Sequence, residues 1–274
     1  MKAQGPIGVF DSGYGGLTVL RSIQSLMPSY DYLYLGDSAR SPYGSRSFDN
    51  VYDFTLSGVR YLFEQGCHLV ILACNTASAK ALRTIQQRDL PIIAPDKRVL
   101  GVIRPTSEAI GNYSSTGSVG LFATYGTVLS DSYRIEIEKF FPDLKLVQEA
   151  CPMWVPLVEN GELDNNGTHF FIKRHIDTLF AMSAQIDTIL LACTHYPLLL
   201  DLISNIVGDR AEIISQGPLV ADRLHNYLER HPEISDKCSR YGTTNYLTTD
   251  DPAKFEMLGT QFLGKSFSAT KVHL

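Results

Sequence analysis

Two pairs of segments in the chain echo each other, and that echo constrains the fold more than any other feature. Gly8-Val-Phe-Asp11-Ser12 resembles Gly120-Leu-Phe-Ala123-Thr124, 112 residues later. Val70-Ile-Leu-Ala-Cys74-Asn75-Thr76 resembles Ile189-Leu-Leu-Ala-Cys193-Thr194-His195, 119 residues later. An apolar run ending in cysteine is common, so neither match is strong alone. Two matches in one order at nearly one offset imply two related halves.

The repeated unit is a strand followed by a helix. Ile7–Phe10, Tyr32–Leu35, Leu69–Ala73, Val99–Ile103, Val119–Ala123, Leu144–Gln148, Thr188–Ala192 and Glu212–Ile214 read as strands. Gly15–Met27, Phe48–Gln65, Thr76–Gln87, Val128–Phe140, His169–Met182, Leu198–Val207 and Leu219–Arg230 read as helices between them. Such alternation predicts βαβ units and parallel sheets. Near-continuous apolar strands predict sheets covered on both faces. The expected fold is therefore α/β, with two doubly wound parallel-sheet domains. The tail after Ser235 is more polar and reads as an edge strand and a short helix.

Composition narrows the function classes. A chain of 274 residues is long enough for two domains. A formal charge of −5 leaves no basic footprint for nucleic acid. No uncharged apolar run of about 18 residues is present, so no membrane-spanning helix is expected. The apolar stretch Ile7–Phe10 is too short for a signal-peptide core. The five cysteines are Cys67, Cys74, Cys151, Cys193 and Cys238. An odd count at wide spacing predicts reduced thiols in the cytoplasm. No CxxC or HxxxH spacing marks a metal site.

Cys74 and Cys193 each end a strand reading just before a helix. Ligands of open α/β sheets bind outside the carboxyl ends of strands. Two facing halves would put these thiols on opposite sides of one cleft. Inverting a stereocentre by proton transfer needs that arrangement: a base on one face and an acid on the other. A free thiol has a pKa of about 8.5. Lowering it to about 7 takes roughly 2 kcal/mol of thiolate stabilisation, which a partly buried helix N-terminus can supply. The ordinary alternative for each cysteine is an inert core residue.

Other residues gather near these strand ends. Asp11-Ser12-Gly13-Tyr14-Gly15-Gly16 follows a strand and opens a helix. Its glycines expose backbone donors for an anion. Thr18 breaks the dinucleotide fingerprint, although Asp37 stands where a ribose-binding acid would. Asp11 and Ser12 suit an ammonium group or a thiol better than a pyrophosphate, or they cap the turn. Asp37-Ser-Ala-Arg40-Ser-Pro42-Tyr43-Gly44 is a loop whose donors can hold a carboxylate, with the Tyr43 phenol closing over it. Its alternative is an ordinary turn. Asn75-Thr76 and Thr194-His195 either bind substrate or cap the helices that begin there.

Together these stretches resemble the glutamate racemases of the aspartate/glutamate racemase superfamily. The matching runs are Asp11-Ser12-Gly13-x-Gly15-Gly16, Asp37-x-x-Arg40-x-Pro42-Tyr43-Gly44, Ala73-Cys74-Asn75-Thr76-Ala77, Cys151-Pro152 with Val155-Pro-Leu-Val-Glu159, and Cys193-Thr194-His195-Tyr196-Pro197. They fall in the family's order over roughly residues 7–215. The resemblance implies a cofactor-independent isomerase interconverting L- and D-glutamate. It implies Cys74 and Cys193 as the two acid/bases. It implies Asp11, Ser12, Tyr43, Gly44, Asn75, Thr76, Thr194 and His195 as substrate-binding residues, with Glu159 and Pro42 in support. Residues matching Asp11 and His195 also assist the thiols. D-glutamate feeds peptidoglycan synthesis, hence cell-wall biogenesis and cell shape. The implied enzyme is cytoplasmic and homodimeric, with a pseudo-twofold axis relating two domains: 1–98 with 211–274, and 99–210. Ala192 replaces a glycine frequent in the family, and the stretch Ala94–Leu100 is longer than usual.

Three other functions stay open on the residues themselves. One is a racemase for aspartate or another amino acid. Another is a nucleotide- or anion-binding α/β protein. The last is a cysteine hydrolase using Cys193 and His195, which needs unusual local geometry because one residue separates them.

Overall fold

The computed structural model describes residues 4–274; residues 1–3, where the expected first domain begins, lie outside the described residues. The strands are β1 (Ile7–Asp11), β2 (Tyr32–Gly36), β3 (Leu69–Leu72), β4 (Arg98–Gly101), β5 (Ser118–Ala123), β6 (Lys145–Ala150), β7 (Thr188–Ala192), β8 (Glu212–Ser215), β9 (Thr244–Thr248) and β10 (Ala269–Lys271). The longer helices and those that build the site are α1 (Leu17–Leu26), α2 (Phe48–Glu64), α3 (Asn75–Lys80), α4 (Tyr125–Ser130), α5 (Ser132–Phe140), α6 (Trp154–Glu159), α7 (Asn166–Met182), α8 (Leu200–Val207), α9 (Gln216–Arg230) and α10 (Pro252–Leu263).

Every strand pair is parallel. One sheet has six strands in the order β10-β9-β2-β1-β3-β4, the other four in the order β6-β5-β7-β8. In both, the first four strands met along the chain lie in the order second, first, third, fourth. The repeat read in the sequence is thus a repeat of topology: β1 answers to β5 and β3 to β7. β1, β2, β3, β5 and β7 are buried throughout, as strands covered on both faces must be.

Several boundaries differ from expectation. The expected division at 98/99 cuts β4, which pairs with β3 in the first sheet. The division at 210/211 puts β8 on the wrong side, since it pairs with β7 in the second sheet. Each strand completes its own ladder before the chain crosses, so the crossings fall a few residues later. The helix expected over Thr76–Gln87 is present but irregular: it is α-helical over α3 and over Leu82–Thr84, with an interruption at Ala81, and passes into a π-helical stretch over Ile85–Asp89. The helix expected over Val128–Phe140 is split where Asp131 takes a left-handed conformation, φ 57°. The tail holds two strands and a twelve-residue helix, rather than one edge strand and a short helix. β9 is interior, between β2 and β10. No helix among the described residues is long and apolar enough to cross a membrane.

Candidate active site

In a sheet of order second-first-third-fourth, connections leave the first strand in opposite directions. A crevice opens there, outside the carboxyl ends of the first and third strands. Asp11 ends β1 and Cys74 follows β3; Ala123 ends β5 and Cys193 follows β7. The two crevices are joined by direct bonds. Thr18 Oγ1 donates to the Thr194 carbonyl at 3.0 Å. Thr76 and Thr124 share a hydroxyl–hydroxyl bond of 3.0 Å. The Gly126 N–H donates to the Gly44 carbonyl at 2.9 Å.

All five cysteines are free and buried. Exposure still separates them: Cys74 and Cys193 are 6% exposed, whereas Cys67, Cys151 and Cys238 are 0–1% exposed. Only the matched pair keeps more than 1% exposure. Cys74 itself caps α3, its sulfur accepting from the Ala77 N–H at 3.4 Å. Its thiol donates to Ser12 Oγ at 3.6 Å. Burial, with the nearby Asp11 charge, pushes this thiol up to about 12. The helix N-terminus was expected to lower it. The Ala77 N–H and the Ser12 hydroxyl, which donates once the sulfur is ionised, favour the thiolate, but desolvation outweighs them.

His195 stands beside Cys193 and is 4% exposed. Its Nε2 lies 3.0 Å from Glu159 Oε1, so Nε2 carries a hydrogen; Nδ1 lies 3.4 Å from Thr194 Oγ1. Burial alone would lower its pKa. Hydrogen bonds to Cys193 and Glu159, with their charges, more than offset that and raise it to about 10. Both partners thus favour the cationic ring. The Glu159 that fixes it ends α6, as the Val155–Glu159 motif required.

Asp11 is fully buried, and its Oδ2 accepts from the Gly13 N–H at 2.9 Å. Its Oδ1 has no hydrogen-bond partner. Burial raises its pKa against the opposing pull of His195. The glycine run does not cradle a phosphate. A methyl at Gly15 would lie 2.2 Å from Thr194 Oγ1 and 2.5 Å from His195 Nδ1, so the space beside it is filled by the other half. Among the described residues, no cluster of His, Cys, Asp or Glu could hold a metal ion.

Two expected ligands are already engaged. The Tyr43 hydroxyl donates to Asp37, which also pairs with Arg40 at 2.6 Å, so its hydrogen is not turned to a substrate. That leaves the backbone donors of the Pro42-Tyr43-Gly44 loop. Asn75 Nδ2 donates to Gln216 Oε1 and its Oδ1 accepts from Tyr133. Sequence reasoning missed Thr124, Tyr133 and Gln216, and also the tail's contact with the site. Phe262 of α10 packs edge-on to His195, ring centroids 5.1 Å apart. An open groove of about 580 Å³ runs elsewhere, between α1 and α9 beside Arg21, Leu26, Pro218 and Asp222, with neither thiol in its wall.

The sequence pattern of the Asp/Glu/hydantoin racemases matches residues 7–221. A glutamate racemase of Roseobacter denitrificans is 41% identical over 275 aligned positions, spanning 96% of this chain and 99% of that one. Among solved structures, a glutamate racemase of Bacillus anthracis superposes with a TM-score of 0.89 at 32% identity, over 98% of each chain. A glutamate racemase of Francisella tularensis, solved with D-glutamate, superposes with a TM-score of 0.87 at 29% identity, also over 98% of each.

Proposed function

The chain belongs to the Asp/Glu/hydantoin racemase family, and on that premise we propose that it is a glutamate racemase whose acid/base groups are the thiols of Cys74 and Cys193. One observation carries the reading. The two cysteines that keep some exposure sit at equivalent strand ends of two like sheets, joined across one crevice. Two like groups on opposite sides are what reversible inversion at Cα requires.

The chemistry follows from the groups around them. One sulfur, as thiolate, takes the α-proton; the other, as thiol, returns a proton to the opposite face. The sulfurs exchange protonation states in each turnover, and the reverse reaction restores them. The free Oδ1 of Asp11 receives the substrate ammonium, and Ser12 stands beside it. Thr76, Thr194 and the backbone donors of Tyr43 and Gly44 hold the carboxylates, with Pro42 shaping that loop. Donors aimed at the α-carboxylate compensate charge that develops as the α-proton leaves. The His195 cation, held by Glu159, is the compensation that a thiolate at Cys193 needs. These residues hold and move the proton themselves, so the reaction as proposed needs no cofactor. Asn75 contributes through position more than contact.

We further take the two sheets with their helices as two domains that close on the substrate. The resemblance to the family carries the remaining proposals: a cytoplasmic homodimer whose D-glutamate feeds peptidoglycan synthesis. The test is to incubate the protein with L-glutamate and with L-aspartate, without added cofactor, and follow circular dichroism. Glutamate loses its signal; aspartate, one methylene shorter, reacts ~10–200-fold more slowly. Faster loss with aspartate would move the substrate assignment.

A further inference from the structure

Four buried polar side chains meet where the halves join. Asn75 Nδ2 donates to Gln216 Oε1 at 2.6 Å. The Tyr133 hydroxyl donates to Asn75 Oδ1 at 2.6 Å. Gln216 Nε2 donates to Thr106 Oγ1 at 3.1 Å and also to the Tyr133 oxygen. Asn75, Gln216 and Tyr133 thus form a closed ring, with Thr106 attached. Each is at most 3% exposed. They come from α3, from the first residue of α9, from α5, and from the crossover helix Ile103–Ser107. The proton transfer described above uses neither Gln216 nor Tyr133.

A satisfied network in a low-dielectric interior is rigid, and removing one member leaves its neighbours unpaired. Its position gives that rigidity a use. Asn75 is the first residue of α3, directly after Cys74. Asn75 lies in the first turn of that helix, so whatever fixes its side chain helps to fix that turn. That turn carries the Ala77 N–H that meets the Cys74 sulfur at 3.4 Å. We propose that Gln216 and Tyr133 are positioning residues for the Cys74 thiol, acting through the Asn75 side chain from outside α3. The side chain of Asn75 is then a strut between the halves, and the substrate meets the neighbours it holds in place.

The functional consequence rests on the two-thiol reading; the positioning itself does not. Its test is alkylation of the full chain by iodoacetamide between pH 7 and 10, resolved by peptide for Cys74 and Cys193. The two thiols have equal exposure, so each serves as the other's control. Tyr133→Phe keeps the ring's volume and removes the bonds to Asn75 and from Gln216; Gln216→Met keeps length and removes all three of its hydrogen bonds. Loss of the Ala77 bond removes a donor that favours the Cys74 thiolate. Cys74 alkylation is expected to slow about tenfold in each variant while Cys193 changes less than about twofold. The kcat for glutamate falls with KM little changed. Equal changes at both thiols, or an unchanged Cys74, would overturn the proposal. If Gln216→Met does not fold, the nearly isosteric Tyr133→Phe decides alone. Full racemisation by Cys74→Ala, by contrast, would remove the two-thiol reading while leaving the alkylation result interpretable.

Discussion

Burial drives the Cys74 thiol and the His195 ring alike toward their neutral forms, and only His195 overcomes it. The difference lies in partners. Cys74 has two weak sulfur hydrogen bonds and an adjacent carboxylate, whereas His195 has two acceptors that favour its cation. The His195 pKa rises from 6.5 to about 10 on folding. Its contribution to stability is therefore complete below about pH 6.5 and is lost as pH rises through about 10. The expected outcome is a thermal midpoint that declines from pH 6.5 to 10, with a shallower decline in His195→Gln; parallel profiles would contradict it. At this scale the thiols, Asp11 and His195 were legible as candidates, because each stands in a short motif beside a strand end; Glu159, at the end of a helix, came from the resemblance alone. Tyr133 and Gln216 were not, since they lie 58 and 141 positions from Asn75. The acidity of Cys74 was misread for a related reason. Local sequence supplies the helix N-terminus, but only the folded chain supplies the desolvation.

The loop between β1 and α1 shows what a glycine run can be for. A nucleotide-binding loop needs its glycines so that phosphate can approach. Here Gly15 lets a neighbouring segment approach: a methyl there would overlap Thr194 and His195. The backbone at Gly15 is not left-handed, so alanine carries no conformational penalty of its own. Gly15→Ala is accordingly expected to lower kcat/KM by ~10²-fold, the usual effect of displacing a reacting group by about 1 Å, and to lower the urea midpoint as the overlapped segment shifts at a cost of about 1–3 kcal/mol. Activity within twofold of the parent would mean the segment yields freely. The strands were read well because their apolar runs are short and continuous. Helices were read less well. Periodicity does not register the left-handed Asp131 that splits α4 from α5, nor the π-helical stretch after α3.

At the scale of the whole molecule, one strand order is used twice, and each copy brings a thiol to its own switch point. That duplication was legible as two matched segments. The resemblance implied that the tail returns to the first domain, and β9 indeed pairs with β2 in the first sheet; what was not legible is that α10 brings Phe262 against His195 from 67 residues further along the chain. No periodicity announces such a return. The central claim is that the two halves contribute one proton-transfer group each. It is tested most directly by racemisation of L- and of D-glutamate in D₂O by the parent chain, Cys74→Ala and Cys193→Ala. The parent is expected to give product of inverted configuration carrying solvent deuterium at Cα, and each variant to lose ~10²–10⁴-fold of the rate with either enantiomer. A variant of either cysteine that racemises both enantiomers at the parental rate would contradict the claim.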